Sequence, residues 1–199
     1  MSAFYPDTAL KLDDELRRYR WAATSFTVGR TMRERVDFDY ASEQMILDGA
    51  LDRYKVLLFL WGAVIEQPVL ERMDRWVRNG GIIVFATTPR RYPSTGEGDT
   101  GVAAQWLAGD TGKGRVIPWR GDLIPSQSYA HSVRDLLLKT LSLRPEIHRA
   151  LQMEKPASAF WSVLENGKLA LLNFDDRPAH VRLAGGKVIK IPPYELVME

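Results

Sequence analysis

The sequence contains no cysteine among its 199 residues, and it has only three histidines. Without cysteine the chain can form no disulfide, and it has neither a thiolate nucleophile nor a thiolate metal ligand. His131, His148 and His180 lie far apart in the sequence and lack the spacing of a metal site. We therefore expect no metal and no cofactor.

An excess of one charge is also missing, since 27 basic residues face 25 acidic ones. A nucleic-acid surface needs lysine and arginine clustered on one face. Arginines do cluster within 17–20 and 30–35, but acidic residues are interleaved with them. This pattern predicts a solvated helix face and no nucleic-acid partner.

Long apolar stretches are absent as well. No run reaches the length of a membrane span, and the first residues do not show a charged and then apolar signal pattern. These absences predict a cytoplasmic protein without a membrane partner.

The strongest structural pattern is a pair of short, continuous apolar runs, 56–61 and 82–86. Such runs are typical of strands that are buried on both faces, which occur in parallel sheets. Between them, an apolar stripe begins after Pro68 and ends at Asn79-Gly80-Gly81, as expected for a helix. Strand, helix and strand in this order predict a right-handed βαβ unit.

Weaker patterns complete an α/β domain. We expect further strands at 3–5, 36–40 and 115–119, the last with Pro118 at a strand end or at a sheet edge. We expect a short helix at 42–48, capped by Ser42, and a longer helix at 132–142.

The pattern changes after residue 157. Apolar segments flank Asn166-Gly167 and again Gly185-Gly186, which are strong signals for β-hairpins. A last strand is expected at 194–197. The sequence thus predicts two domains, an α/β domain at 1–152 and a small antiparallel β domain at 157–199.

Three segments, 54–60, 70–81 and 82–85, together resemble the class I glutamine-amidotransferase-like fold. A non-catalytic version of that fold occurs in bacterial β-galactosidases, as a trimerisation domain after the catalytic barrel. A small β domain follows it there, and the tail 167–195 looks like that domain. The resemblance implies a flavodoxin-like or amidotransferase-like, mostly parallel sheet with helices on both faces, followed by a small antiparallel module.

The chemistry of a true amidotransferase is not expected. Thr87 stands near the place of the nucleophilic cysteine, and threonine is a weak nucleophile without an adjacent base. None of the histidines belongs to the His-x-Glu pair of such enzymes. The resembled glycosidases carry their catalytic acids on a barrel of ~250 residues, for which this chain has no room. We therefore predict no catalytic residue.

A binding site is predicted at the carboxyl ends of the parallel strands, where open sheets bind ligands. The candidate residues there are Trp61, Thr87, Arg90, Arg91 and Trp119. Aromatic rings stack on sugars, and arginine binds carboxylates or phosphates. The same residue types are also enriched at subunit interfaces, so a pocket, an interface and ordinary core or surface all stay open.

Three functions follow from these features. The first is a non-catalytic scaffold that forms a homo-oligomer or docks onto a glycosidase catalytic domain. The second is a module that binds a sugar or an anion at the strand ends. The third is a stand-alone hydrolase with an unrecognised site. The first strand lies almost at the start of the chain, which suggests a dissected piece or a free-standing relative.

Overall fold

The computed structural model describes residues 1–16, 21–60, 64–86, 101–119, 127–140 and 142–199. The contacts divide the chain into two compact units. The first comprises Met1–Phe26 and Phe38–Leu123, and the second comprises Thr27–Asp37 and Ile124–Glu199. The predicted boundary between independently folding domains, at 152–157, stays a prediction.

The first unit is built on a five-stranded parallel sheet with strand order β2-β1-β3-β4-β5. Strands β1 to β5 are Ser2–Tyr5, Asp39–Ser42, Val56–Phe59, Ile82–Ala86 and Arg115–Trp119. The fold class predicted from the sequence is confirmed. The order also places a topological switch point between β1 and β3, as in flavodoxin-like folds.

The helices α1 to α5 are Asp7–Leu16, Trp21–Arg33, Glu43–Leu47, Gln67–Arg78 and Val102–Leu107, and a 3₁₀ turn spans Ala50–Arg53. Helix α2 belongs to the first unit up to Phe26 and to the second from Thr27 onward. Ser42 caps α3 because its hydroxyl accepts a hydrogen bond from the backbone N–H of Met45 at 3.2 Å. The predicted short helix is thus confirmed.

The core of the first unit forms where α4 packs beside the sheet. Every residue of β3 is buried, as its uninterrupted apolar sequence predicted. Helix α4 contributes a buried stripe at helical spacing, which includes Val69, Met73 and Trp76. Burial of these side chains is the main stabilisation of this unit, because each large apolar side chain removed from water contributes about 1.5–3 kcal/mol.

The strand predictions have different outcomes at the two edges of the sheet. Strand β5 lies at one edge, and its Pro118 pairs in register with Phe85, so the expectation of an edge position is confirmed. Strand β2 lies at the other edge and begins at Asp39, so the predicted strand at 36–40 is wrong in its bounds. Val36 and Phe38 are buried, but they precede the ladder rather than take part in it.

Besides the end of α2, the described part of the second unit contains two further helices and two antiparallel sheets. The sheets have three and two strands, ordered β10-β7-β6 and β8-β9. The elements α6, α7 and β6 to β10 are Gln127–Thr140, Pro145–Leu151, Ala159–Val163, Leu169–Asn173, Ala179–Arg182, Val188–Ile191 and Leu196–Met198. Both predicted hairpins are present. Their turns place Gly167 and Gly186 at φ of +84°, a conformation that glycine adopts without strain.

Helix α6 begins at Gln127, five residues before the predicted start at 132. Tyr129, Val133 and Leu137 are buried at four-residue spacing, so the buried face extends one turn further towards the N-terminus. None of the helices within the described ranges is long and apolar enough to cross a membrane.

Candidate functional site

The predicted site at the strand ends is only partly described. Trp119 is the last residue of β5, at the sheet edge, and its side chain is half-buried. Trp61, Thr87, Arg90 and Arg91 lie outside the described residues. Convergence of these side chains with Trp119 therefore stays a prediction.

At the carboxyl ends of β1 and β2, three polar residues form a closed network. The backbone N–H and the hydroxyl of Thr8 donate to the two carboxylate oxygens of Glu43, at 3.0 and 2.7 Å. The backbone N–H of Glu43 in turn donates to a carboxylate oxygen of Asp7 at 2.9 Å. These bonds satisfy donors in the first turns of α1 and α3. The network therefore ties the starts of the two helices together.

Burial raises the pKa of the Glu43 carboxyl, and the nearby carboxylates of Asp7 and Glu66 add to this effect. The hydrogen bonds from Thr8 oppose it, because they stabilise the charged form. Glu43 is only 6% exposed and both of its oxygens accept bonds from Thr8. This carboxyl group therefore has a structural role in joining the helices.

The raised pKa of Glu43 predicts a change in stability with pH. The pKa of Glu43 in the folded protein lies above the ordinary value of 4.5. The stability that Glu43 contributes is therefore fully present below pH 4.5 and is lost as pH rises through the folded pKa. Glu43→Gln keeps the shape but cannot ionise. In urea unfolding at several pH values, the stability of Glu43→Gln relative to wild type should therefore increase as pH rises above 4.5.

The matched control is Glu71→Gln, which removes a half-exposed carboxylate from α4. The change of stability with pH should be larger for Glu43→Gln than for Glu71→Gln, because Glu43 is buried and Glu71 is half exposed to water. A difference for Glu43→Gln that is constant with pH would contradict a raised pKa of Glu43.

A second candidate site is a large cleft that lies entirely within the second unit. Its volume is about 1010 Å³, which is at the upper end of the range for small-molecule sites. One wall comes from the end of α2 and the residues after it, and the other comes from β6, β7 and β10. Its principal lining residues are Arg30, Arg33, Asp37, Phe160, Phe174 and Asp175. We call it the aromatic cleft.

Two rings form the apolar floor of the aromatic cleft. Phe160 and Phe174 meet edge to face, with ring centroids 5.4 Å apart and planes at 87°. Phe174 is nevertheless 63% exposed, although its backbone N–H is held by the carbonyl of Ser158 at 2.9 Å. An exposed ring on a fixed backbone offers a flat surface that is already in place for a ligand.

Polar groups at the rim are held in place by their neighbours. Asp37 accepts from Arg33 at 3.4 Å with one carboxylate oxygen, and from the Ser162 hydroxyl at 2.6 Å with the other. The buried Asn173 accepts the backbone N–H of Asp175 at 3.1 Å and donates to the Arg177 carbonyl at 2.8 Å. These bonds fix the start of the turn that carries Asp175.

A partly buried lysine, Lys155, lies beside the Phe160 ring and next to the segment that leads into β6. Lys155 donates to the backbone carbonyls of Pro156 and Ala159, and its Nζ lies 5.9 Å from the centre of the Phe160 ring. Burial lowers the pKa of Lys155 to about 8, and nearby Arg35 contributes to the shift. The amino group thereby orders the segment that enters β6.

The sequence did not indicate the aromatic cleft. The arginines at 30–35 were expected on a solvated helix face. A phenylalanine followed directly by two aspartates, at 174–176, is a local signal of a polar turn, but it does not reveal the opposite wall of the cleft. Within the described ranges, no group of three or more histidine, aspartate or glutamate residues could hold a metal ion.

Comparisons by sequence identify no relatives, because no protein-family model and no curated protein matches the chain. The fold, in contrast, has clear counterparts. Its α/β unit with a small antiparallel module is similar in fold to one region of larger GH42 enzymes.

Three of these structures match 99% of this chain. The GH42 exo-carrageenase from Bacteroides ovatus has a TM-score of 0.64 at 11% identity, and the match covers 28% of its length. Gan42B, a GH42 β-galactosidase from G. stearothermophilus, has a TM-score of 0.61 at 16% identity, and the match covers 39% of its length. For the cold-adapted β-galactosidase from Rahnella sp. R3 the TM-score is 0.63 at 14% identity, and the match covers 40% of its length.

These identities are low, so the similarity establishes a shared fold. The chain spans 40% or less of the length of these proteins. The resemblance to the β-galactosidase region, inferred from short sequence motifs, is confirmed at the level of fold. The activities named for these proteins belong to the complete enzymes.

Proposed function

We propose that this chain is a non-catalytic accessory region related to β-galactosidase-type glycoside hydrolases, and that it forms a homo-oligomer. The observation that carries this proposal is the coverage of the structural match. Nearly the whole chain matches, at 99%, whereas 39–40% of each β-galactosidase is covered. The matched region therefore corresponds to a part of these enzymes, and a separate catalytic domain would supply the hydrolytic activity.

The chemistry of the chain supports this proposal. It has no cysteine, so the nucleophile of a class I amidotransferase is absent from the sequence. Glu43, a buried carboxyl group at the strand ends, is committed to the helix starts through Thr8. Most glycosidases use a pair of carboxyl groups that flank an open substrate site, whereas the side chain of Glu43 is buried, with 6% of the residue exposed.

Light scattering on the purified chain tests the oligomeric part of the proposal. We expect a mass that is a multiple of the 22.6 kDa chain and that persists on dilution. A stable homo-oligomer needs a buried area above ~1,000 Å² between copies. A monomeric mass at every concentration would contradict a homo-oligomer and would leave docking onto a catalytic domain as the accessory role.

A hydrolysis assay tests the non-catalytic part. The chain alone should release no product from a chromogenic β-galactoside or from glutamine above the level in buffer. The control is an intact β-galactosidase assayed at the same protein concentration. Hydrolysis by the chain alone would instead support the stand-alone hydrolase, and Thr87 would be the first residue to replace.

A further inference from the structure

We propose that the aromatic cleft of the second unit is a binding site for a neutral oligosaccharide. The proposal does not depend on the accessory function, because every lining residue belongs to the second unit of this chain. It also differs from the predicted site at the strand ends, which lies in the first unit.

The floor of the cleft fits the apolar face of a sugar ring. Phe174 presents a flat ring that is 63% exposed, and Phe160 braces it edge to face. Leu196 extends the apolar surface from β10 and is 55% exposed. Aromatic side chains provide much of the contact area in ligand sites, with a small number of polar groups to fix orientation.

The rim of the cleft carries both signs of charge, which favours a neutral ligand over an anion. Arg30 and Arg33 supply donors, and Glu34, Asp37 and Asp175 supply acceptors. Two guanidinium groups against three carboxylates give no excess positive field, which a phosphate, a sulfate or a nucleic acid would require. Sugar hydroxyls both donate and accept hydrogen bonds, so they match such a rim.

The cleft is organised before a ligand arrives. Asp37 accepts hydrogen bonds from Arg33, four residues before it, and from Ser162, 125 residues after it. The backbone of Phe174 is held by Ser158. Binding therefore loses little conformational freedom of the protein, which favours affinity. The volume of about 1010 Å³ is large for a single small ligand and suits a chain of several sugar units.

Titration calorimetry with defined tetrasaccharides tests the proposal. The probes are neutral tetrasaccharides of galactose, glucose and xylose, with a tetrasaccharide of galacturonic acid as the charged comparison. We expect at least one neutral probe to bind, and we expect the acidic probe to bind more weakly because the rim carries carboxylates.

Variants of Phe174 connect the binding to the cleft. Phe174→Ala should weaken the binding of the neutral probe roughly ten-fold, as truncation of a central aromatic contact does. Phe174→Leu keeps an apolar side chain without a flat face, and it should also weaken binding. The control is Val188→Ala, which truncates an apolar side chain outside the cleft. Val188 is 49% exposed in wild type, and this variant should bind as wild type does.

Three results would overturn the proposal. The first is the absence of heat with every neutral probe, and the second is binding that Phe174→Ala leaves unchanged. The third is a lower oligomer mass for Phe174→Ala than for Val188→Ala by light scattering, which would make the cleft an interface between copies. Folding of each variant is checked by circular dichroism. The accessory function is tested by the oligomer mass and hydrolysis assays on wild type, and the oligosaccharide site is tested by calorimetry. Failure of one proposal can therefore be told apart from failure of the other.

Discussion

Replacing Gly114 with alanine should destabilise the protein by about 3 kcal/mol. A Cβ at this position would lie 2.0 Å from the carbonyl oxygen of Val77 and 2.3 Å from that of Gly81. Both distances are far below van der Waals contact, and both partners are backbone atoms. No side-chain rotation can relieve the overlap, so the chain itself would have to move.

The backbone around Gly114 is held by several hydrogen bonds, which makes such a movement costly. The N–H of Lys113 donates to the carbonyl of Arg78, and the N–H of Arg115 donates to that of Gly81, each at 3.0 Å. The Thr111 hydroxyl donates to the carbonyl of Gly114 itself at 3.0 Å. A shift would therefore disturb the end of α4 and the entry into β5 together.

Urea unfolding followed by circular dichroism measures this effect. The matched control is Gly185→Ala, since a Cβ at Gly185 would meet no atom within 4 Å. The control should change the free energy of unfolding by less than about 0.5 kcal/mol. Equal stability of the two variants would show that the turn at Gly114 adapts without cost.

Replacing Asp74 with alanine should cost about 2 kcal/mol, mainly through the indole of Trp106. Trp106 is 2% exposed, and its Nε1–H donates to one oxygen of Asp74 at 2.8 Å. The other oxygen of Asp74 accepts from Nε of Arg78 at 2.8 Å. Without Asp74, the buried indole N–H loses the acceptor that satisfies it, and this desolvated donor accounts for the expected loss.

The matched control for Asp74 is Asp110→Ala. Asp110 binds the same arginine, Arg78, at 2.9 Å, but its side chain is 59% exposed. Water can replace this carboxylate, so the control should leave thermal and urea unfolding nearly unchanged. Asp74→Asn retains an oxygen for the indole and should recover part of the loss. If Asp74→Ala and Asp110→Ala are equally mild, the buried indole is not the source of the effect.

The strands at the centre of the first unit could be predicted from short stretches of sequence. A strand that is buried on both faces has to be apolar at every position, and the segments at Val56–Phe59 and Ile82–Ala86 meet this condition. The hairpins could also be predicted from a few neighbouring residues, because Gly167 and Gly186 occupy positions with positive φ in their turns. These elements depend on neighbours in the chain, so the sequence determines them directly.

Element boundaries were less predictable, because burial and hydrogen-bond pairing are different properties. Val36 and Phe38 are 1% and 2% exposed, which explains their apolar pattern. The ladder nevertheless starts where Ser2 pairs with Asp39. The pattern at 36–40 therefore predicted burial correctly and pairing incorrectly, since the register depends on the partner strand.

The sequence by itself determined the α/β class, the two hairpins and the absence of thiol chemistry, because each follows from local pattern or from composition. The strand order and the aromatic cleft were decided only by the tertiary structure. Asp37 and Ser162 are 125 residues apart and lie 2.6 Å from each other across their hydrogen bond. No short segment of sequence contains both sides of that contact, and the cleft forms only because packing of the second unit brings them together.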